Sequence, residues 1–125
     1  SHVARAVLEG IAHRIVDILE GIRKDTGMQI LRIKVDGGVS RSDILLQIIA
    51  DFSGYTVERS PEVDMTAVGA AYFAGLGVGF WRSMEELRSL HRHYSVFVPG
   101  RSDAYRERKK KQWRDAVHAV LRMHP

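Results

Sequence analysis

Residues 34 to 43, KVDGGVSRSD, restrict the fold more than any other stretch of this chain. Ile30 to Val35 lead into it with the look of a strand. On the far side Ile44, Leu45, Ile48, Ile49 and Phe52 recur every three to four residues, a helical period. Asp-Gly between apolar runs is otherwise a hairpin signal, but a hairpin needs a period of two on both sides. The two glycines therefore join a strand, at about 29–36, to a helix at about 41–52, with Ser40 and Asp43 spaced as a capping box. Such a turn belongs to an α/β layer. The helix N-terminus there offers unpaired N–H groups, and glycine lets a ligand approach the backbone. On spacing alone Gly37 and Gly38 are either a structural corner or a seat for a nucleotide or phosphate.

The rest of the chain reads as one unit, without repeats or long linkers. Val3, Val7, Ile11, Ile15, Ile18, Leu19 and Ile22 mark a helix over 2–24. A short strand, Tyr55 to Arg59, is cut by Pro61. A helix capped by Asp64 or Thr66 extends over TAVGAAYFAGLGVGFW to Trp81, and a short one covers Met84 to Leu90. HRHYSVFVPG gives a strand, and a final helix runs from Ser102 or Asp103 to Met123. The helix from Thr66 to Trp81 has no charged residue and is apolar or glycine on nearly every side. Such a helix is normally buried all round, and this chain offers few elements to cover it. The chain therefore reads as a piece of something larger, with exposed apolar surface that favours self-association.

Composition removes several chemistries. There is no cysteine, so disulfides, thiolate metal sites and cysteine nucleophiles are absent, which fits a reducing, cytoplasmic setting. No apolar run approaches the ~18 residues that span a bilayer. The net charge of +4 is local: eight Lys and Arg against three Asp and Glu after Gly100 leave +5 there and −1 elsewhere. The basic run Arg106 to Lys111 reads as the solvated side of a helix whose apolar side is Tyr105, Trp113, Val117, Val120 and Leu121. No nucleic-acid motif accompanies it. Asp17 and Glu20 are expected on solvated faces, and Asp36 in local turn hydrogen bonding ahead of the alternative, contact with a ribose. His91 and His93 have a spacing metals use but lack a third ligand, so no metal site is assigned.

Several stretches in order carry a resemblance: HVARAVLEGIAHRIVDIL, VDGGVSRSDILLQIIADFSG, ERSPEVDMTAVGAAYFAGLGVGFW, and VFVPG followed by Tyr105 and Trp113 to Val117. Together they resemble the C-terminal part of the FGGY family of carbohydrate kinases, over essentially the whole chain. VDGG with TAVGAAYFAGLGVGFW is similar to the glycerol-specific members. HVARAVLEGIA is similar to the latter half of the family's second signature.

The resemblance implies an actin-like (ribonuclease H-like) ATPase fold, with residues 1–125 as the C-terminal section of the nucleotide-binding domain, a small sheet flanked by helices. It implies ATP or ADP with Mg2+ as cofactor and glycerol as acceptor in the parent enzyme. Gly37 and Gly38 match the adenosine motif, Gly38 at the position that approaches ADP. Ser42 stands where the family usually has an asparagine near the nucleotide, a shorter group with one hydroxyl in place of an amide. The phosphate-contacting loop, the glycerol-binding residues and the catalytic aspartate are expected before residue 1, so no catalytic residue is assigned and the chain alone is expected to be inactive. The rival readings are a kinase of another sugar or polyol and a non-catalytic interaction module.

Overall fold

A computed structural model of the chain describes residues 2–62, 64–90 and 94–123. The His91 and His93 pair lies outside the described residues. In order the elements are α1 (His2–Thr26), β1 (Arg32–Val35), a 3-10 turn (Gly38–Arg41), α2 (Asp43–Ser53), β2 (Thr56–Arg59), α3 (Met65–Gly77), α4 (Met84–Leu90), β3 (Ser95–Phe97) and α5 (Asp103–Met123). The strands form one sheet in the order β1-β2-β3, with β1 parallel to β2 and β2 antiparallel to β3. Parallel pairing requires a crossover, and α2 supplies it. The strand expected from about residue 29 begins only at Arg32. β1 has one pairing partner, and Met28 and Leu31 before it are exposed.

α2 is the centre of the molecule. Leu45, Leu46, Ile48, Ile49, Ala50 and Phe52 are all buried, more than one face of a helix, because α2 packs on the sheet and on α1 and α5 at once. Ile44, expected on the core face, is exposed. The helix also starts later than the capping box implied. Ser42, not Ser40, is the N-cap, its Oγ accepting from the Leu45 N–H at 3.3 Å. Ser40 instead belongs to the 3-10 turn, which uses up the residues that the helix was expected to claim. Gly54 ends α2 in the left-handed conformation, φ 77°, with its N–H on the Ala50 carbonyl.

α1 lies against α2 through Ala12, His13 and Val16, flanked by Leu8 and Ile15. Its other apolar stripe, Val3, Val7, Ile18 and Ile22, stays exposed. α5 closes the same side. Lys109 Nζ meets Glu9 at 2.9 Å, Lys110 Nζ meets Glu20 at 2.5 Å, and Trp113 Nε1 donates to Asp17 at 2.9 Å. The basic run is thus only partly a solvated face, and Asp17 and Glu20 are not free surface carboxylates. Residues 9, 13, 17 and 20 recur at helical spacing on α1, as 109, 110 and 113 do on α5, so acids face bases across the seam.

Between these pairs His13 is 6% exposed, stacked on Trp113 at 5.1 Å and tilted against Phe52 at 4.6 Å. Burial pushes its pKa below the usual 6.5, helped by Lys109 and opposed by Glu9 and Asp17. A depressed pKa means the fold prefers the neutral ring. That stability is present above pH 6.5 and is lost as the pH falls through the folded value. Urea unfolding midpoints are therefore expected to drop as the pH falls below 6.5, with a slope of at most ~1.4 kcal/mol per pH unit. His13→Phe should flatten that window. Glu9 titrates lower: burial works against its charge, but the hydrogen bonds from Lys109 and Arg5 prevail and hold its pKa below 4.5. Its contribution fades only under more acidic conditions.

α3 and α4 flank an apolar hollow lined by Met65, Tyr72, Phe73, Leu76, Met84 and Leu87, and neither contributes a residue to the core around α2. Asp64 caps α3 by accepting from the Ala67 N–H at 3.0 Å. The helix stops at Gly77, four residues short of the expected Trp81, because Gly79 turns at φ 73° and Phe80 N–H bonds the Gly75 carbonyl at 2.8 Å. Trp81 then covers Gly75, where even a methyl group would overlap its ring. Phe73, Val78 and Phe80 remain exposed. The all-round burial expected of this helix is not met among the described residues, where Gly75 is its one buried position.

Candidate functional site

The double glycine sits at the carboxyl ends of the two parallel strands, the edge at which open α/β sheets collect ligands. Gly37, Gly38 and Ser42 come together in one turn. Gly37 precedes the 3-10 turn, Gly38 opens it, and Ser42 closes it and caps α2. The two glycines are glycine for different reasons. Gly37 has φ 86° and ψ 174°, a backbone state essentially closed to other residues. Gly38 has no positive φ, and a Cβ built there meets no atom within 4 Å. Nothing among the described residues requires residue 38 to lack a side chain.

The turn is held from its inner side. The Gly37 carbonyl accepts twice from Ser40, from the N–H at 3.1 Å and from Oγ at 2.7 Å. Ser40 is itself buried, and its carbonyl accepts from Arg59 Nη1 at 3.2 Å. Ser42 Oγ is occupied as an acceptor by the helix cap, which leaves its hydroxyl proton free to donate outward. Asp36 is exposed and its carboxylate takes no part in the turn's hydrogen bonds, which Ser40 makes instead. Val39 and Ile44, both apolar, are open to solvent on either side. Next to the turn an open polar hollow of about 340 Å³ is lined by Ser40, Arg41, Asp43, Arg59, Ser60, Pro61 and Ser95. Among the described residues no three His, Asp or Glu side chains converge as metal ligands. Sequence reasoning missed Arg59 and gave Ser40 the wrong task. The available signal was a charged residue closing a strand just before a proline.

Residues 1–78 match the C-terminal domain of the FGGY family of carbohydrate kinases. The chain belongs to the FGGY family. Its relatives extend the match beyond residue 78: a glycerol kinase of Agathobacter rectalis is 44% identical over 116 residues, 93% of this chain and 23% of that protein. Among solved structures, a glycerol kinase of Plasmodium falciparum with ADP superposes with a TM-score of 0.86 at 34% identity, covering 96% of this chain and 24% of that one. A xylulose kinase of Lactobacillus acidophilus superposes at 0.77 with 21% identity over 95% of this chain and 24% of its own, a likeness of fold alone. The chain thus spans about a quarter of the length of the FGGY relatives it matches. Its small mixed sheet and packed helices are part of the actin-like ATPase architecture of those kinases.

Proposed function

We propose that this chain supplies the adenosine-facing part of the ATP site in a glycerol kinase. The parent reaction is transfer of the γ-phosphoryl group of ATP to a terminal hydroxyl of glycerol, giving glycerol 3-phosphate and ADP. The observation that carries this reading is Gly38: it is exposed, free of conformational constraint and bounded by open space, at the mouth of a strand-to-helix turn. A nucleotide laid against the backbone accounts for the missing side chain. Gly37 fixes the turn, Gly38 gives the approach, and the Ser42 hydroxyl offers one hydrogen bond where an amide would offer two donors. The glycerol kinase relatives, and the ADP present in the Plasmodium falciparum structure, favour glycerol and an adenine nucleotide over another sugar kinase.

Phosphoryl transfer depends on positioning, metal and electrostatics around the γ-phosphate, with a base for the attacking hydroxyl. On this reading residues 1–125, one section of the nucleotide-binding domain, contribute only positioning on the adenosine side. Mg2+ arrives with the nucleotide, held by groups outside this chain, and the parent enzyme works in the cytoplasm. Turnover is therefore expected to be nil for the 125-residue chain with ATP and glycerol, as read by coupled ADP release. The faces left open on α1 and α3 are then its seams with the rest of the kinase, and the isolated chain self-associates through them.

The direct test is an ADP titration of the isotope-labelled chain, following backbone amide resonances. Shifts confined to residues 37–42 are expected. A well-dispersed spectrum with no response there would overturn the reading.

A further inference from the structure

We propose that Arg59 is a positioning residue for the nucleotide turn, which aims the Gly38 N–H by locking the peptide plane between Gly37 and Gly38. The inference rests on the nucleotide reading given above. Arg59 ends β2 and pairs in register with Val35, the last residue of β1, and with Ser95 of β3. From there its guanidinium reaches three elements. Nη1 donates to the Ser40 carbonyl at 3.2 Å and to Asp43 Oδ1 at 2.6 Å, and Nη2 donates to Ser95 Oγ at 3.2 Å. The cation also lies 5.4 Å from the Phe97 ring centre. Only 23% of the side chain is exposed, while its partner Asp43 is 72% exposed. The salt bridge is therefore largely in water and of little energetic weight. The contact that matters is the one to Ser40.

Ser40 passes that contact on. With its carbonyl held by Arg59, its N–H and hydroxyl both point at the Gly37 carbonyl. A trans peptide is planar, so its N–H points opposite to its C=O. Holding the Gly37 carbonyl inward therefore turns the Gly38 N–H away from Ser40, in a residue that is itself exposed. The planar fork of arginine can serve the Ser40 carbonyl, Asp43 and Ser95 together, whereas the ammonium of lysine is a point charge on a flexible stem. If Arg59 acted merely as a nearby positive charge, lysine would replace it. As a positioning group it is not replaceable.

The test uses the intact chain with ADP. Arg59→Lys is expected to move the Gly38 amide resonance before any ligand is added, and to weaken ADP binding roughly tenfold, the loss of one charge-assisted hydrogen bond. In the full-length kinase the same variant should raise KM for ATP and leave kcat nearly unchanged. Ser40→Ala removes the hydroxyl half of the hold on the Gly37 carbonyl without touching Arg59. It should act in the same direction but more weakly, because the N–H still donates there, and decides the matter if Arg59→Lys fails to fold. Arg32→Gln, at the start of β1, removes the ion pair to Glu58 while leaving the contacts of Arg59 in place, and should change neither readout. Folded Arg59→Lys and Ser40→Ala proteins that bind ADP as the parent chain does would overturn the role of Arg59 and leave the nucleotide reading standing. A parent chain whose 37–42 amides ignore ADP would overturn the nucleotide reading first, and this inference with it.

Discussion

Gly38→Val is expected to reduce ADP affinity by roughly 100-fold, ~2.8 kcal/mol, while the unfolding midpoint of the chain stays within ~0.5 kcal/mol of the parent. The fold tolerates the change because Gly38 has no positive φ and open space where the side chain would go. A ligand resting on that backbone cannot tolerate it, since an isopropyl group fills the approach. Gly37→Ala should differ in losing stability as well. At φ 86° and ψ 174° a Cβ strains the backbone by ~1–3 kcal/mol, so stability falls along with any binding. Calorimetric titration with ADP beside thermal melting separates the two. Full ADP affinity in a folded Gly38→Val chain would show that the turn is a corner and not a seat.

Phe52→Ala carries the largest expected cost in stability, ~3–5 kcal/mol. The Phe52 ring is 2% exposed and lies against both helices that flank α2: His13 of α1 at 4.6 Å and Tyr105 of α5 at 6.2 Å, with Lys109 Nζ 5.6 Å from its centre. Its removal would leave a cavity where α1, α2 and α5 meet. A domain has only ~5–15 kcal/mol in total, and this chain leaves much apolar surface open. The variant is expected to lose its cooperative denaturant transition, read by Trp113 fluorescence, whereas Phe52→Leu should retain it. An alanine variant that unfolds within 1 kcal/mol of the parent would mean that the three helices are held together elsewhere.

Most of the elements were legible because their signals are local. The period of three to four along α1 and α2, the strand-like runs at Ile30 to Val35 and Tyr55 to Arg59, and Asp64 as one of two candidate caps each act through neighbouring residues. So did the decisive reading at residues 34 to 43, where periods on either side excluded a hairpin. The misreadings share a cause as well. Ser40 and Ser42 both suit a helix cap, and local spacing favoured the wrong one. Ser40 is drawn into the 3-10 turn by a carbonyl-to-guanidinium contact from Arg59, 19 residues away. Asp17 and Glu20 looked solvated until α5, nearly a hundred residues on, brought Trp113 and Lys110 to them.

The sequence by itself determined that a strand turns directly into a helix through two glycines. It also determined that one helix is too apolar to stand alone and that the chain has FGGY character. These depend on residue type and short-range periodicity, which backbone sterics and side-chain burial translate directly into local structure. Only the tertiary structure decided which glycine is needed for shape and which is left open, that Arg59 braces the turn, and that α5 neutralises its bases on α1. Those outcomes depend on φ angles and on contacts between residues distant in sequence. They are set when the sheet, α1 and α5 close around α2, and no local pattern encodes that closure.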